Sequence, residues 1–294
     1  MSNKEEVKYR VGLSGFKGLG YKRLQLLLKY FKSVKDIWEA DRKTWEKLGI
    51  NAQMAEDWDR WRKNRNLDQE LIRLSRQEVR VLTIEDKNYP KILKEIDSPP
   101  FLLFIKGSAE CLNQPSLTVV GSRRMTGYGQ RATTKLVGEL SKNLVIISGL
   151  ARGIDGWAHR VCLKACGKTV AVLGHGLDRI YPREHQALAD EIVRSNSCLV
   201  SEFPFDYPIE KINFPQRDRI LAGLSLGTLV IEGGQRSGTK ITAGFAADYG
   251  REVFCVPGPI DSEVSTGTAE LIQQGAKLVT KPEDVLDELK LPES

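Results

Sequence analysis

Residues 117–130 read LTVVGSRRMTGYGQ, and this stretch decides the fold. It opens with an apolar run of strand length, continues through glycine, serine and arginine, and enters a helix-sized segment near residue 127. Near-continuous apolar runs are typical of strands buried on both faces, as in parallel sheets covered by helices. The stretch therefore predicts a buried parallel strand that leads through a glycine-containing loop into a helix.

The same pattern of strand, loop and helix extends outward from this stretch in both directions. Strand-like runs lie at 79–84, 101–107, 117–121, 144–149, 169–174, 197–202, 227–232 and 252–257. Helix-sized segments lie at 127–142, 154–167, 183–195, 216–224, 238–250 and 268–275. This alternation predicts an α/β fold with a doubly wound, mostly parallel sheet.

The N-terminal segment has a different pattern, because residues 10–74 read as short helices. Gly18 and Gly20 precede a helical run, as in a helix-hairpin-helix or SAM-like module, whose backbone amides can hold a phosphate; such turns also simply join packed helices. Four tryptophans in this segment favour a helical core over a ligand platform: Trp38, Trp45, Trp58 and Trp61. We therefore predict a helical domain over 1–74 and an α/β domain over 75–294.

Composition and charge narrow the classes of function. Apolar residues make up 41% of the chain and charged residues 28%, which is ordinary for a protein with a packed core. No apolar run approaches the roughly 20 residues of a membrane helix, and the N-terminus lacks a signal-peptide pattern, so we expect a cytoplasmic protein without membrane association. The first 88 residues contain 20 Lys and Arg against 14 Asp and Glu, whereas the remainder has 24 of each. The basic surplus therefore lies in the N-terminal third, where it permits polyanion binding without establishing it.

Glycine-rich loops follow five of the predicted strands and should meet at one edge of the sheet. In Gly121-Ser122-Arg123 the glycine allows close approach to an anion, the serine donates a hydrogen bond, and the arginine can grip phosphate oxygens. The loop over 233–240 adds hydroxyls and charges from Ser237, Thr239, Arg236 and Lys240. Tight strand-to-helix turns explain many of the glycines, but not the Ser, Thr and Arg beside them. We predict a phosphate-binding site at this edge.

Nucleotide-cofactor, metal and catalytic signatures are weak. The spacing of Gly121, Gly127 and Gly129 does not fit GxGxxG, and GGQRSGTKIT lacks the order of a P-loop, so neither NAD nor ATP is expected. Asp155 and His159 could form an acid–base pair on one helix, or Asp155 could cap that helix. His159, Cys162 and Cys166 could share a helix face, but no fourth metal ligand is evident. We therefore predict no cofactor, no metal and no catalytic residue.

The segment over 211–219, KINFPQRDR, places an aromatic residue among cations. Lys211, Arg217 and Arg219 could contact a nucleic-acid backbone while the ring of Phe214 stacks on a base. The alternative is that Phe214 and Pro215 form a hydrophobic staple at the start of a helix. The segment by itself does not decide between these interpretations.

Taken together, the ordered motifs over 117–276 resemble the DNA-processing protein A family, also called DprA or Smf. They include VVGSRRMTGYG, SGLARGIDGWAH, TVAVLGHGLDRIYP, FPQRDRILAGLS and VIEGGQRSGTKITAGFAADYG. The resemblance implies an extended Rossmann-like domain, preceded by the SAM-like domain. It also implies a homodimer that binds and protects incoming single-stranded DNA during natural transformation, loads the RecA recombinase and displaces single-strand-binding protein.

Site residues follow from the same resemblance. The phosphate-gripping motif falls on Gly121, Ser122 and Arg123, and the basic and stacking residues fall on Lys211 and Phe214. Other members of the site are Arg217, Arg219, Ser237, Gly238, Thr239 and Lys240.

The sequence departs from the family pattern at two positions. Asp218 replaces the asparagine of FPxRNRI, and Ala269 replaces an asparagine of the later loop. The added carboxylate could weaken DNA binding or pair with Arg217 or Arg219. Many relatives also carry a C-terminal winged-helix domain, which we do not expect here.

Two other functions fit a Rossmann-like scaffold. A nucleoside-monophosphate phosphoribohydrolase has a PGGxGTxxE loop, whose counterpart here is EGGQRSGTKIT without the final glutamate. The second alternative function is that of a nucleotide-sensing or protein-interaction module. Glu202 and Glu232 would suit a sugar hydroxyl, or could pair with Arg123 or Arg236.

Overall fold

The computed structural model describes residues 3–235, 237–289 and 291. Within them one sheet contains nine strands: β1 (Val79–Thr83), β2 (Leu102–Gly107), β3 (Ser116–Val120), β4 (Val145–Ser148), β5 (Thr169–Leu173), β6 (Cys198–Ser201), β7 (Gly227–Val230), β8 (Glu252–Cys255) and β9 (Lys277–Leu278). Their spatial order is β1-β2-β6-β5-β4-β3-β7-β8-β9. All eight predicted strands are present, and β9 was not predicted.

The sheet is mostly parallel, as predicted. Strands β3 to β9 pair in parallel with one another, whereas β1 pairs antiparallel with β2 and β2 pairs antiparallel with β6. The predicted Rossmann-like α/β class is confirmed by this topology.

Helices cover both faces of the sheet. Six short helices precede it: α1 (Asn3–Ser14), α2 (Tyr21–Leu27), α3 (Val34–Glu39), α4 (Arg42–Lys47), α5 (Ala52–Lys63) and α6 (Leu67–Arg76). The others are α7 (Lys91–Lys94), α8 (Gly127–Leu140), α9 (Ile154–Lys164), α10 (Gln186–Arg194), α11 (Asn213–Gly223), α12 (Gly238–Asp248), α13 (Thr266–Gln273) and α14 (Glu283–Leu289).

Strands near the middle of the sheet supply residues to two core layers. Leu117 and Val119 of β3 pack with α8 and α9 on one face. Val120 belongs to the opposite layer, which includes residues of α11 and α12. The alternation follows from the two-residue period of a strand, and it explains the near-continuous apolar runs of the sequence.

The N-terminal helices share a core with the outer part of the sheet. Trp45 and Trp58 are fully buried, with ring centroids 4.6 Å apart in a stacked arrangement. The same apolar cluster includes Leu102 and Phe104 of β2. These tryptophans are therefore core residues. Among the described residues, no helix combines the length and apolar character needed to cross a membrane.

Candidate functional site

The candidate site lies where the strand order reverses. β3 hydrogen-bonds to β4 on one side and to β7 on the other, and the chain builds β4, β5 and β6 outward before returning to β7. Loops after β3 and β7 therefore leave the same edge in opposite directions and open a crevice between them. This is the place where open α/β sheets bind ligands.

The loop after β3 is held against the start of α9. The backbone N–H of Ile154 donates to the Ser122 carbonyl at 3.2 Å, and the Arg124 N–H donates to Ser122 Oγ at 3.1 Å. A methyl group on Gly121 would lie 2.4 Å from Cγ1 of Ile154, so only glycine fits this approach. The loop is thus fixed in place, while the Arg123 side chain is exposed and has no ion-pair partner among the described residues.

Phe214 lies beside this arginine in the first turn of α11. The Arg123 guanidinium carbon is 5.7 Å from the centroid of the half-buried Phe214 ring. The Tyr181 ring, which is 40% exposed, has its centroid 6.1 Å from that of Phe214. A free cation and two accessible rings therefore share one surface. Tyr181 was not predicted, and the only available signal was its place in the loop after β5.

Lys211 lies three residues before Phe214 in the turn that leads into α11. Its side chain is exposed, and it forms no ion pair with the part of the chain that is described. It therefore adds a second available cation near the start of this helix.

The loop after β7 contributes a less available set of groups. Ser237 precedes α12, and its hydroxyl hydrogen-bonds to the hydroxyl of the buried Thr239, while Gly238 is exposed. Lys240 Nζ donates to Glu270 Oε1 at 2.7 Å and is thereby neutralised. Arg236 lies outside the described residues.

The buried carboxylate of Glu232 connects the loop after β7 with the loop after β3. Glu232 is 2% exposed and accepts the backbone N–H of Thr126 at 3.1 Å, as well as the Thr126 hydroxyl. Its partner is therefore Thr126 and not Arg123, which was considered for it in the sequence. Two of the five predicted loops, those after β3 and β7, therefore meet, and this carboxylate holds them together.

Two of the arginines predicted to contact a ligand are engaged within the protein. Arg217 is 4% exposed; its Nη1 donates to the carbonyls of Gly149 at 2.8 Å and Val172 at 2.6 Å, and its Nε to Asp218 at 3.0 Å. Arg219 forms an ion pair with Glu202. Both arginines therefore have partners within the protein and are less available to a ligand than Arg123 is.

Asp155 and His159 do not form an acid–base pair. The Asp155 carboxylate accepts the backbone N–H of Gly149 at 3.2 Å, and burial raises the pKa of this carboxyl to about 6. His159 Nδ1 lies 2.6 Å from Thr169 Oγ1, and burial lowers the pKa of the imidazole to about 3. The two groups therefore have separate partners; the imidazole stays neutral, whereas the carboxyl loses its proton only near pH 6.

The raised pKa of Asp155 predicts a pH dependence of stability. Between the ordinary pKa of 3.8 and about 6, the folded state binds more protons than the unfolded state. The free energy of unfolding should therefore fall as the pH rises through this window, by roughly 3 kcal/mol in all. Asp155→Asn should remove most of this fall in urea unfolding between pH 4 and 7. Asp248→Asn, at an exposed position, should keep it, and a flat wild-type profile would contradict the assignment.

No group of three or more potential metal ligands occurs among the residues that the structure describes. All five cysteines are free. Cys111 and Cys198 lie close together, with Sγ atoms 3.6 Å apart, and both are buried in the core.

A family model described as DNA recombination-mediator protein A matches residues 80–290. Protein Smf from Escherichia coli is 42% identical over 77% of this chain and 61% of its own length, so the match leaves more than a third of that relative uncovered. DNA processing protein DprA from Streptococcus pneumoniae is 45% identical over 71% of this chain and 73% of its own length.

Solved structures of DNA processing protein A are also similar to this chain, one of them over nearly its whole length. The X-ray structure of DNA processing protein A from Streptococcus pneumoniae is 35% identical, with a TM-score of 0.81 over 99% of each chain. A second structure describes the single-stranded DNA binding mode of DNA processing protein A from Helicobacter pylori. It is 29% identical over 72% of this chain and 96% of that one, with a TM-score of 0.64.

Proposed function

The chain belongs to the DNA recombination-mediator protein A family, and from that premise we propose that it binds single-stranded DNA at the surface formed by Gly121, Ser122, Arg123 and Phe214. The observation that carries the proposal is the unpaired Arg123 guanidinium 5.7 Å from the centre of the half-buried Phe214 ring. A cation beside an aromatic ring matches the two chemical parts of a single strand, the phosphate and the base.

The chemistry divides between these two side chains. Arg123 can grip phosphate oxygens with its planar fork, and the clamped loop over 121–123 fixes where that fork begins. Phe214 offers a ring on which an unpaired base can stack, with Tyr181 beside it. Bases of a duplex are already stacked and paired, so the surface should favour single strands and have little sequence preference.

The wider role that we propose is that of a recombination mediator. In this role the protein protects single-stranded DNA, displaces single-strand-binding protein and loads RecA, acting as a cytoplasmic homodimer. Its support is family membership. The test is whether the protein restores RecA ATP hydrolysis on single strands coated with single-strand-binding protein, with sedimentation to measure the oligomeric state.

We propose binding without catalysis. Support comes from the side chains that could have acted on a substrate: Glu232 is engaged by Thr126, and Asp155 and His159 are buried with separate partners. Release of free base from nucleoside monophosphates would favour the phosphoribohydrolase alternative and would contradict this part of the proposal.

The binding itself is tested with a fluorescent single strand of about 20 nucleotides and its matched duplex, titrated across a salt series. We expect salt-sensitive binding of the single strand, with log affinity falling by about 0.7 per contacted phosphate for each unit of log salt, and much weaker binding of the duplex. Equal affinity for both at moderate salt would contradict stacking on Phe214. Absence of binding to either would contradict the proposed function.

A further inference from the structure

Helices α8 and α9 contact each other along a line, here termed the seam, and each helix carries a row of cations beside it. Arg131 and Lys135 of α8, like Arg160 and Lys164 of α9, are one helical turn apart, and all four are exposed. We propose that this surface, here termed the α8–α9 basic face, binds the DNA backbone as it leaves Arg123. The inference rests on the proposed function, because the strand must first occupy the site at Arg123 and Phe214.

Contacts across the seam place the two rows side by side. Trp157 Nε1 of α9 donates to Thr134 Oγ1 of α8 at 2.9 Å. One turn further along both helices, a methyl group on Gly138 would lie 3.8 Å from Cγ1 of Val161. The helices therefore run alongside each other in the same direction.

The cations lie next to these contact residues in helical spacing. Arg131 precedes Thr134 by three residues and Lys135 precedes Gly138 by three, while Arg160 and Lys164 each follow a seam residue, Trp157 or Val161, by three. Residues three apart are neighbours on a helix surface, so the cations flank the seam. Between the rows, Trp157 is only half buried.

Carboxylates do not neutralise this face within the described residues. The two acidic residues of these helices are Glu139, which pairs with Lys142 at 2.7 Å, and Asp155, which is buried. None of the four cations has an ion pair in the described part of the chain; Lys135 Nζ lies 3.5 Å from the Thr280 carbonyl. The acidic helix α14 follows that carbonyl and limits the basic face on the side of Lys135.

The N-terminal helices differ from this face, because many of their Lys and Arg side chains form ion pairs with carboxylates. Ion pairs there include Lys8–Asp68, Arg10–Glu85, Lys17–Glu210, Lys22–Asp97, Arg65–Glu70 and Arg73–Asp206. A polyanion gains most from cations that have no carboxylate to give up. Charge availability therefore favours the α8–α9 basic face over the paired cations of the N-terminal segment, which also has lysines that are unpaired among the described residues, such as Lys29 and Lys43, but farther along the chain from Arg123.

The basic face is continuous with the proposed binding site. Gly153, immediately before α9, packs against the backbone of Arg123, and α8 begins four residues after Arg123. Arg124 between them is exposed and has no ion pair among the described residues. At 1.5 Å per residue, α9 extends roughly 15 Å from this point to Lys164, a length that a few nucleotides span.

The test compares a short and a long single strand on one variant. Arg131→Gln, Lys135→Gln, Arg160→Gln and Lys164→Gln are combined, and binding is measured to a strand of about 3 nucleotides, too short to occupy the site and the basic face together, and to one of about 25. The matched control combines Lys29→Gln, Lys32→Gln, Lys43→Gln and Lys47→Gln, which remove the same charge from exposed, unpaired positions of the N-terminal helices. Urea unfolding of both variants verifies that the fold is kept.

We expect the first variant to bind the long strand at least about tenfold more weakly, with a salt slope reduced by up to about 3, while the short strand keeps its affinity. The control should bind both strands as the wild type does. An equal loss in the two variants, or a loss for the short strand as large as for the long one, would overturn the inference and leave the proposed function intact. A wild type that binds neither strand would overturn both.

Discussion

Replacing Phe214 with alanine is expected to weaken single-strand binding roughly 5- to 150-fold without changing its salt dependence. The expectation follows from the stacking free energy of a base on an aromatic ring, about 1–3 kcal/mol, which involves no counterion release. Arg123→Ala should weaken binding and also reduce the salt slope by about 0.7, the value for one phosphate contact on a single strand. Titration at four or more salt concentrations separates the two effects.

Conservative variants make these expectations specific. Phe214→Tyr keeps a ring and should retain most of the affinity, whereas Arg123→Lys keeps the charge but loses the planar fork and should retain only part of it. Lys91→Ala removes an exposed charge from α7 and should change nothing. If Phe214→Ala lowered the salt slope as much as Arg123→Ala does, the ring would be positioning the arginine, and the division between stacking and phosphate contact would be wrong.

Much of this fold could be predicted because its strands are buried on both faces and leave long apolar runs. β9 was not predicted because its two residues, Lys277 and Leu278, are too few to show the two-residue period of a strand. The start of α11 was placed three residues late, since Pro215 seemed to precede the helix. The structure puts Pro215 at the third position of α11, in the first turn, where a missing N–H costs no intrahelical hydrogen bond.

The site was less predictable, because it depends on which cations are already paired. Lys240 pairs with Glu270 thirty residues away, and Arg219 pairs with Glu202 seventeen residues away, at spacings that no local pattern reveals. Net charge was misleading for the same reason. The N-terminal surplus is partly neutralised by carboxylates of the α/β segment, as in Lys17–Glu210, while the electrically neutral remainder exposes the α8–α9 basic face.

Removing the Arg217 side chain is expected to have the largest effect on stability. Arg217→Ala would leave the buried carboxyl of Asp218 without its ion pair and the carbonyls of Gly149 and Val172 without a donor. Breaking a buried pair by removing one partner typically costs about 3–5 kcal/mol, because the remaining charge stays buried. Urea unfolding of the variant and the wild type measures this difference.

The pH dependence of this loss of stability shows whether it comes from the unpaired charge of Asp218 or from the cavity that the substitution leaves. Burial raises the pKa of the Asp218 carboxyl, and the Arg217 guanidinium partly offsets this. Without the guanidinium, the pKa should rise further, so the folded variant binds a proton that the unfolded chain releases. Its stability should then fall more steeply than that of the wild type as the pH rises from 5 to 8.

Asp155 lies within the same charge network, since Arg217 also lowers the pKa of that carboxyl, and part of the steeper fall will come from it. Asp218→Asn in the Arg217→Ala background should therefore restore stability at pH 8 more than at pH 5, without abolishing the pH dependence. This variant also places at position 218 the asparagine that the family pattern usually carries. A loss equal at both pH values, unchanged by Asp218→Asn, would mean that Arg217 stabilises the fold by packing and by its bonds to the two carbonyls, and that its charge contributes little.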